Sequence, residues 1–247
     1  MKYKQNVINK EGIIISLTEY KEKDAIVTCI NKDEVFSFYA KSIFTKSSKN
    51  KNSLNELYRC SFSLALYENG NLFLQEVSLK EQLISFESIE ILSCLQFIKD
   101  ATLTFIKESS DAREIYPIFY KILCQIKENK ADSLTLSLIY FAKVLDVCGY
   151  RLEVNKCVRC GSKQNICAIS FKDGGFICRD CYDERFHMPL KKDSMIYLRY
   201  LFMVSEENFG QIKIDHNVAK DLLYIFKLYI KDIENVTLNS LEFLINL

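Results

Sequence analysis

Short apolar runs separated by charged turns occupy the first eighty residues of the chain. Three of these runs, Gly12–Leu17, Ala25–Ile30 and Val35–Ala40, are rich in β-branched and aromatic residues, which favour strands. Between Cys60 and Leu66 the apolar residues alternate with smaller or polar ones, as in a half-buried strand. A fifth run, Leu72–Glu76, completes the set. The pattern therefore predicts five short strands.

The dipeptide Asn69-Gly70 favours a tight hairpin turn between the last two runs. Five short strands within about eighty residues fit a small, partly open barrel such as the OB-fold, whose open face and loops often bind oligonucleotides. An SH3-like barrel fits the number of strands nearly as well. We predict a five-stranded OB-fold-like β-barrel domain at residues 1–80.

After about Leu83 the apolar period becomes that of a helix. Pro117 is expected near the first turn of the second helix, Asp132 or Ser133 at the N-cap of the third, and Asp215 at the N-cap of the fifth. The apolar stripes are Ile91–Phe105, Phe119–Ile126, Leu134–Leu145, Met195–Phe202, Val218–Ile233 and Leu238–Leu244. We therefore predict an α+β chain in which an all-α domain at residues 81–247 follows the barrel.

Two Cys-x-x-Cys motifs, Cys157/Cys160 and Cys178/Cys181, lie at a spacing typical of one zinc site. Residues 168–177 between them read as a hairpin with a glycine turn, so we expect a zinc ribbon at about 155–184, inserted in the helical domain. Four thiolates fill a tetrahedral Zn²⁺ ion and leave no open position. The expected cofactor is therefore a structural Zn²⁺.

Two other side chains near this pattern are weaker candidate ligands. Cys167 lacks a partner at Cys-x-x-Cys spacing and reads as a small apolar filler, and His187 is weaker still. The five remaining cysteines fall in apolar segments and read as buried thiols: Cys29, Cys60, Cys94, Cys124 and Cys148.

Composition narrows the class of protein. At 247 residues, 49% of them hydrophobic, the chain can bury a sizeable core, and its 33 basic and 32 acidic residues leave a net charge of only +1. An acidic partner such as DNA must therefore be held by a local patch. The polar start of the chain does not resemble a signal peptide, and no apolar run reaches the roughly twenty residues of a membrane span, so we expect a cytoplasmic protein.

A basic segment between the third and fourth predicted strands supplies such a patch. It carries Lys41, Lys46, Lys49 and Lys51, and no acidic residue occurs between positions 35 and 55. Lysines placed this way can neutralise phosphates and release counterions. The nearby aromatic residues Phe38, Tyr39 and Phe44 would stack on bases if they face outward. The alternative is a solvated lysine loop beside aromatic residues of the barrel core.

Familiar catalytic motifs are missing from the sequence. It has no Gly-x-x-x-x-Gly-Lys-Ser/Thr loop and no His-Glu-x-x-His, and the zinc-deaminase pattern fails because Cys157 and Cys160 are not preceded by His-x-Glu. Only two histidines are present to act as bases for a nucleophile. We expect no enzyme activity and name no catalytic residue.

The order of these parts resembles the bacterial RecO family of recombination-mediator and DNA repair proteins. The similar segments are Gly12–Thr28, Phe38–Lys41, Tyr67–Leu72 and, most specifically, Val147–Leu152 leading into Cys157–Gly161. The resemblance implies an N-terminal OB-fold and a helical domain with a zinc finger. It places the metal ligands at Cys157, Cys160, Cys178 and Cys181, and the DNA-contacting loop at the stretch beginning with Lys41.

The resemblance also implies an activity and partners. Proteins of this family bind single- and double-stranded DNA, anneal strands coated with single-stranded DNA-binding protein, and act with RecR to load RecA recombinase. A groove in the helical domain would hold the acidic, apolar-ended C-terminal tail of the single-stranded DNA-binding protein. Such a protein would work at the bacterial nucleoid.

The loop departs from the family pattern in one respect. Ser42 follows Lys41 where a glycine is usual, and lysines replace several arginines, so DNA affinity is expected to be weaker and more salt-sensitive. Besides this mediator interpretation, a zinc-ribbon transcription regulator, a protein-protein scaffold or an unrecognised enzyme stays open on the residues alone.

Overall fold

The computed structural model describes residues 6–45, 48–84 and 88–247. The chain forms two compact units, one of residues 1–85 with 106–127 and the other of residues 86–105 with 128–247. The segment 106–127 belongs to the unit that contains the barrel.

The first unit contains all five predicted strands. They are β1 (Asn6–Tyr20), β2 (Asp24–Ile30), β3 (Val35–Ala40), β4 (Tyr58–Leu66) and β5 (Leu72–Gln82). These strands close into a barrel in the order β1-β2-β3-β5-β4. All of the neighbours are antiparallel except β3 and β5, which run parallel and meet at Tyr39 and Phe73.

Strand β1 is much longer than its apolar run, because it pairs with two partners in succession. Residues Asn6–Ile13 pair with β4, and Ile13–Tyr20 pair with β2. Gly12 lies at this change of partner, and a Cβ atom there would lie 3.0 Å from the carbonyl oxygen of Ile30. A register shift between Ile14 and Ser16 follows directly. The glycine therefore permits the close approach of β2 where the barrel turns.

The aromatic residues of β3 lie on both faces of the strand, some in the barrel core and one outside it. Phe36 and Phe38 point inward and contact Phe62, with ring centroids 6.3 and 4.9 Å from it. Phe38 is only 2% exposed, so it is a core residue and not a base-stacking one. Phe44 is partly buried against the same core. Tyr39, on the opposite face of the strand, is half-buried on the outside of the barrel.

Six α-helices follow in the described part of the chain: α1 (Ile89–Phe105), α2 (Ser109–Lys127), α3 (Ser133–Val147), α4 (Lys192–Met203), α5 (His216–Glu234) and α6 (Asn239–Asn246). Helix α2 belongs to the barrel unit, where the Tyr120 hydroxyl donates to Glu81 over 2.9 Å and the Arg59 guanidinium lies 5.6 Å from the Tyr120 ring.

Pro117 lies inside α2 and not at its start, so that prediction is wrong. Proline within a helix removes one backbone hydrogen bond and costs about 3 kcal/mol. The helix nevertheless continues, because Ala112 and Ile115 before the proline and Ile122 after it lie on one continuous buried face. Burial of that face offsets the lost hydrogen bond.

The other five helices belong to the second unit. Helix α3 lies in its core, because every turn of this helix contains buried residues. Asp132 caps α3 as predicted by accepting the Thr135 N–H at 2.9 Å, and Asp215 caps α5 by accepting the Asn217 N–H at 2.9 Å. The Thr135 hydroxyl oxygen also accepts the Ile214 N–H at 3.0 Å. The first turn of α3 therefore also anchors the segment that precedes α5.

A small three-stranded sheet lies between α3 and α4. It consists of β6 (Ile166–Ser170), β7 (Gly175–Cys178) and β8 (Met188–Pro189), in the order β7-β6-β8. The first two strands are the hairpin predicted from the sequence. The third strand pairs Pro189 with Ala168 and Met188 with Ile169.

Candidate metal centre and basic loop

Four cysteine sulfurs converge at the open end of the β6-β7 hairpin. The Sγ atoms of Cys157, Cys160, Cys178 and Cys181 all lie within 4.8 Å of one another, and those of Cys160 and Cys178 are 3.6 Å apart. Sulfurs placed about 2.3 Å from one tetrahedral ion are about 3.8 Å apart. The four side chains therefore fit a single metal ion of the size of Zn²⁺.

Tight turns aim the two sulfurs of each Cys-x-x-Cys motif. In the first turn the Gly161 N–H donates to the Cys157 carbonyl at 2.9 Å, and Gly161 has a φ of +75°, which glycine adopts without strain. In the second, Cys178 ends β7 opposite Ile166, and a 3₁₀ turn over Arg179–Cys181 brings the last sulfur back. The hairpin register thus determines where the second turn begins.

The backbone before the first knuckle packs directly on the hairpin. The Glu153 N–H donates to the Gly174 carbonyl and the Phe176 N–H to the Glu153 carbonyl, each at 2.9 Å. A Cβ atom on Gly175 would lie 2.5 Å from the Glu153 carbonyl oxygen and 2.7 Å from Cγ1 of Val158. Glycine at 175 therefore lets the two segments that carry the cysteines meet.

The clustered thiols differ in pKa because their surroundings differ. Burial opposes ionisation of the Cys157 thiol, but backbone N–H groups of Cys178, Cys160 and Arg159 outweigh it and lower its pKa to about 6. A hydrogen bond with Cys160, then desolvation, raises the pKa of Cys181 to about 12. Without a bound cation, few of the four cysteines are therefore deprotonated. A bound divalent ion would favour the thiolate form of all four.

The two weaker candidate ligands lie outside the cluster of four. Cys167 is half-buried, and its carbonyl accepts the Leu190 N–H at 3.0 Å, which helps to hold β8. His187 is only 4% exposed, and its Nδ1 atom accepts the Asp183 N–H at 2.9 Å. Its Nε2 atom has no hydrogen-bond partner among the described residues. His187 fastens the loop after the second knuckle.

The basic loop follows β3 on the barrel. Lys41, Lys49 and Lys51 are exposed, and Lys46 lies outside the described residues. None of the three exposed lysines forms an ion pair with any residue that the structure describes. Their charges are available to an anionic partner.

Asp24 anchors the start of this loop. Its carboxylate accepts the Tyr39 hydroxyl, and it accepts the Ser42 N–H at 2.6 Å. These two hydrogen bonds, in that order, lower the pKa of Asp24 despite some desolvation. The Phe44 N–H also donates to the Lys23 carbonyl at 3.0 Å, so the loop is tied to the β1-β2 turn. In the sequence, Asp24 is one of several charged residues between two apolar runs. Nothing in the pattern predicts that its carboxylate anchors the basic loop.

Comparison with known proteins places the chain in a family. A family model described as "Recombination protein O C terminal" matches residues 87–241, which include all four clustered cysteines. The chain belongs to the RecO family.

Relatives of this RecO-family chain match it over nearly its whole length. A DNA repair protein RecO of Bacillus pumilus is 23% identical and aligns with 96% of this chain and 93% of its own length. Proteins of the same name are 22% identical in Bacillus subtilis, over 95% of this chain and 92% of that one, and 24% identical in Listeria innocua, over the same two shares. The barrel, which lies outside the family model, is thus also covered.

None of the described helices combines the length and the apolar character that a membrane-spanning segment requires.

Proposed function

We propose that this RecO-family protein acts without catalytic turnover as a mediator of DNA repair and homologous recombination. It binds single- and double-stranded DNA, anneals complementary strands, and helps to load recombinase onto strands coated with single-stranded DNA-binding protein. The observation that carries the proposal is the similarity, over nearly the whole chain, to proteins named DNA repair protein RecO.

The barrel of this proposal is an OB-fold, and residues 1–80 are its DNA-binding part. Two features of the topology support the assignment. Strand β1 pairs with both β2 and β4, and β3 closes the barrel on β5 in parallel. OB-folds are five-stranded barrels that bind oligonucleotides with the face of strands 2 and 3 and with the loops between strands 1 and 2 and between strands 4 and 5.

In this proposal the basic loop contacts the phosphate backbone through Lys41, Lys46, Lys49 and Lys51. The exposure of the three described lysines supports this role, as does the Asp24 carboxylate that holds the loop at Ser42. Phosphate contacts carry no base information, so binding through this loop should be independent of sequence. The loop would accept single and double strands alike, since both present phosphates.

The cysteine cluster holds a structural Zn²⁺ in this account. Four thiolates leave no position for water or substrate, so the metal would supply a cross-link and no reaction chemistry. Cys157 and Cys160 precede the hairpin and Cys178 and Cys181 follow it, so one ion would join both ends of the ribbon. Metal binding and folding of the ribbon would then be coupled.

The proposed protein partners are RecR, the C-terminal tail of single-stranded DNA-binding protein, and indirectly RecA. They rest on the family assignment, and we place the activity in the bacterial cytoplasm at the nucleoid. A zinc-ribbon regulator or scaffold would share the cysteine site but would not need the lysine loop.

Salt-dependent DNA binding tests the proposal. With about four lysines on phosphates, log affinity for a single strand should fall with log salt at a slope of roughly −3. Replacing Lys46, Lys49 and Lys51 together by Ala should reduce that slope by about 2 and weaken all sequences equally. Fluorescence anisotropy with labelled oligonucleotides at several salt concentrations measures both quantities.

A matched variant controls for the loss of net charge. Lys163, Lys192 and Lys231 are exposed lysines of the other unit, and their replacement by Ala should leave the slope unchanged. No binding to oligonucleotides at low salt would contradict the mediator function and leave the regulator or scaffold. An equal change of slope in both triple variants would contradict the role of the loop.

A further inference from the structure

Four aromatic rings form a ladder on the outside of the barrel. The ring centroids of Tyr20 and Tyr39 are 5.8 Å apart, those of Tyr39 and Phe73 are 5.3 Å apart, and those of Phe73 and Tyr67 are 4.7 Å apart. We call these four residues the aromatic ladder. It crosses the line where β3 and β5 close the barrel, because Tyr39 and Phe73 are the paired residues there.

The rings are only partly covered by the rest of the barrel unit. Tyr20 is 42% exposed, and the other three are half-buried. Successive rings are inclined by 82°, 69° and 64°, so each is held edge-to-face by its neighbour. Tyr39 is fixed a second time, since its hydroxyl donates to Asp24. The ladder is therefore a preformed aromatic surface that needs little ordering when a ligand binds.

Three of the four rings line an open trough of about 580 Å³. Its walls come from the end of β1 and the turn after it, from β2 and β3, and from the β4-β5 hairpin at Gly70 and Asn71. These are the parts with which OB-folds bind oligonucleotides. The lining of the trough combines aromatic and apolar side chains with the polar Ser37 and Asn71.

The lining of the trough carries one positive charge. Of the described residues that line it, only Lys21 is charged, and its Nζ atom lies 5.0 Å from the centroid of the Tyr20 ring. The neighbouring Asp24 carboxylate accepts hydrogen bonds from Tyr39 and Ser42 and keeps its negative charge. The basic loop begins at Lys41, two residues after Tyr39, so a phosphate chain bound there can continue toward the ladder.

We infer that the aromatic ladder is a stacking platform for the bases of single-stranded DNA and gives this protein a preference for unpaired strands. The inference rests on the proposed function and extends it, because the lysine loop alone would not distinguish single from double strands. Unpaired bases offer free π-faces to aromatic side chains, whereas the bases of a duplex are already stacked on one another.

A tryptophan reporter tests the inference directly. The chain contains no tryptophan, so Tyr20→Trp introduces a single fluorophore and keeps an aromatic ring in the ladder. Oligothymidylate should quench its fluorescence to saturation, and a duplex of the same length should not, because only unpaired bases can stack on it. The matched control is Tyr224→Trp in α5, where the tyrosine is 45% exposed, and this reporter should respond to neither form.

Affinity measurements give a second readout. Stacking of one base on one aromatic ring contributes about 1–3 kcal/mol, so the double variant Tyr20→Leu with Phe73→Leu should lose at least about 5-fold in single-strand affinity per ring. Duplex affinity and the salt slope should stay as in the wild type. Tyr20→Phe keeps the ring and should bind nearly as tightly as the wild type. Thermal unfolding checks that the leucine variant is folded.

The outcomes separate this inference from the function on which it rests. If the wild type binds no DNA at low salt, the proposed function fails. If it binds DNA but the Tyr20→Trp signal is quenched equally by both forms, or by neither, the stacking platform is wrong and the function stands. Equal loss of single-strand and duplex affinity in the leucine variant also overturns the platform. If that variant does not fold, the tryptophan experiment still decides.

Discussion

Replacing Gly175 by Ala should uncouple the two halves of the metal centre. The new methyl group would lie 2.5 Å from the carbonyl oxygen of Glu153. A backbone carbonyl cannot rotate away as a flexible side chain can, so the clash is relieved only by moving residues 153–158 away from β7. Those residues lead into the first knuckle, and β7 ends at the second. The substitution should therefore separate cysteine pairs that it does not touch.

The size of the effect follows from the contacts that must be given up. Overpacking in a filled site costs about 1–3 kcal/mol. Moving the segments apart also weakens the hydrogen bonds from Glu153 to Gly174 and from Phe176 to Glu153, at about 1 kcal/mol each. We expect a total of about 2–4 kcal/mol. If metal binding and ribbon folding are coupled, this corresponds to a loss of about 30- to 1,000-fold in zinc affinity.

Competition with a chromophoric zinc chelator measures that affinity. The neighbouring glycine supplies the control, because Gly174 has a φ of +71° and open space around its Cα. Asparagine tolerates that conformation, so Gly174→Asn should change the affinity little. Wild-type zinc affinity in Gly175→Ala would show that the close approach at Gly175 does not hold the two cysteine pairs together. Equal losses in the two variants would show that the turn, and not the close approach, matters.

Three further outcomes follow from the structure. Removing zinc with a strong chelator should lower the unfolding temperature of the full chain, and elemental analysis that finds no zinc in the purified protein would exclude the metal. Asp132→Ala should destabilise the helical unit by about 1 kcal/mol in denaturant unfolding, because the Thr135 N–H loses its cap. The folded-state pKa of Asp24 lies below 3.8, so its stabilisation is present above that value and is lost as the pH falls through the lowered pKa. Asp24→Asn should flatten this acid-side loss in a pH series of unfolding curves.

The sequence predicts the parts whose chemistry is local. The cysteine spacing, the glycine turn between the knuckles and the caps at Asp132 and Asp215 each act within a few residues, and the structure contains all of them. The five barrel strands were also predictable, because their apolar residues face a common core. For these parts the local pattern and the fold agree.

Features that depend on distant partners were beyond the pattern. The first half of β1 is polar and carries no periodicity, since it is held by hydrogen bonds to β4. Helix α2 looks like its neighbours in sequence, yet its contacts with Glu81 and Arg59 place it in the barrel unit. No residue near Pro117 indicates that the helix continues past the proline because it has a buried face on both sides of it.

The outward position of Tyr39 was available in the sequence. Strand residues alternate between the two faces of a sheet, so the polar Ser37 marks the outer face of β3. The same alternation turns Phe38 inward and Tyr39 outward. The alternation does not predict which residues contact Tyr39. Tyr20 and Phe73 come next to it only because the barrel closes.

Strand annealing in the presence of single-stranded DNA-binding protein shows whether this protein acts as a recombination mediator. Complementary strands are first coated with that protein, either intact or lacking its C-terminal tail, and duplex formation is followed after this RecO-family protein is added. We expect faster annealing with the intact coat and a large loss of that acceleration when the tail is removed or when Lys46, Lys49 and Lys51 are replaced by Ala. No acceleration by the wild-type protein on either coat would contradict the mediator function.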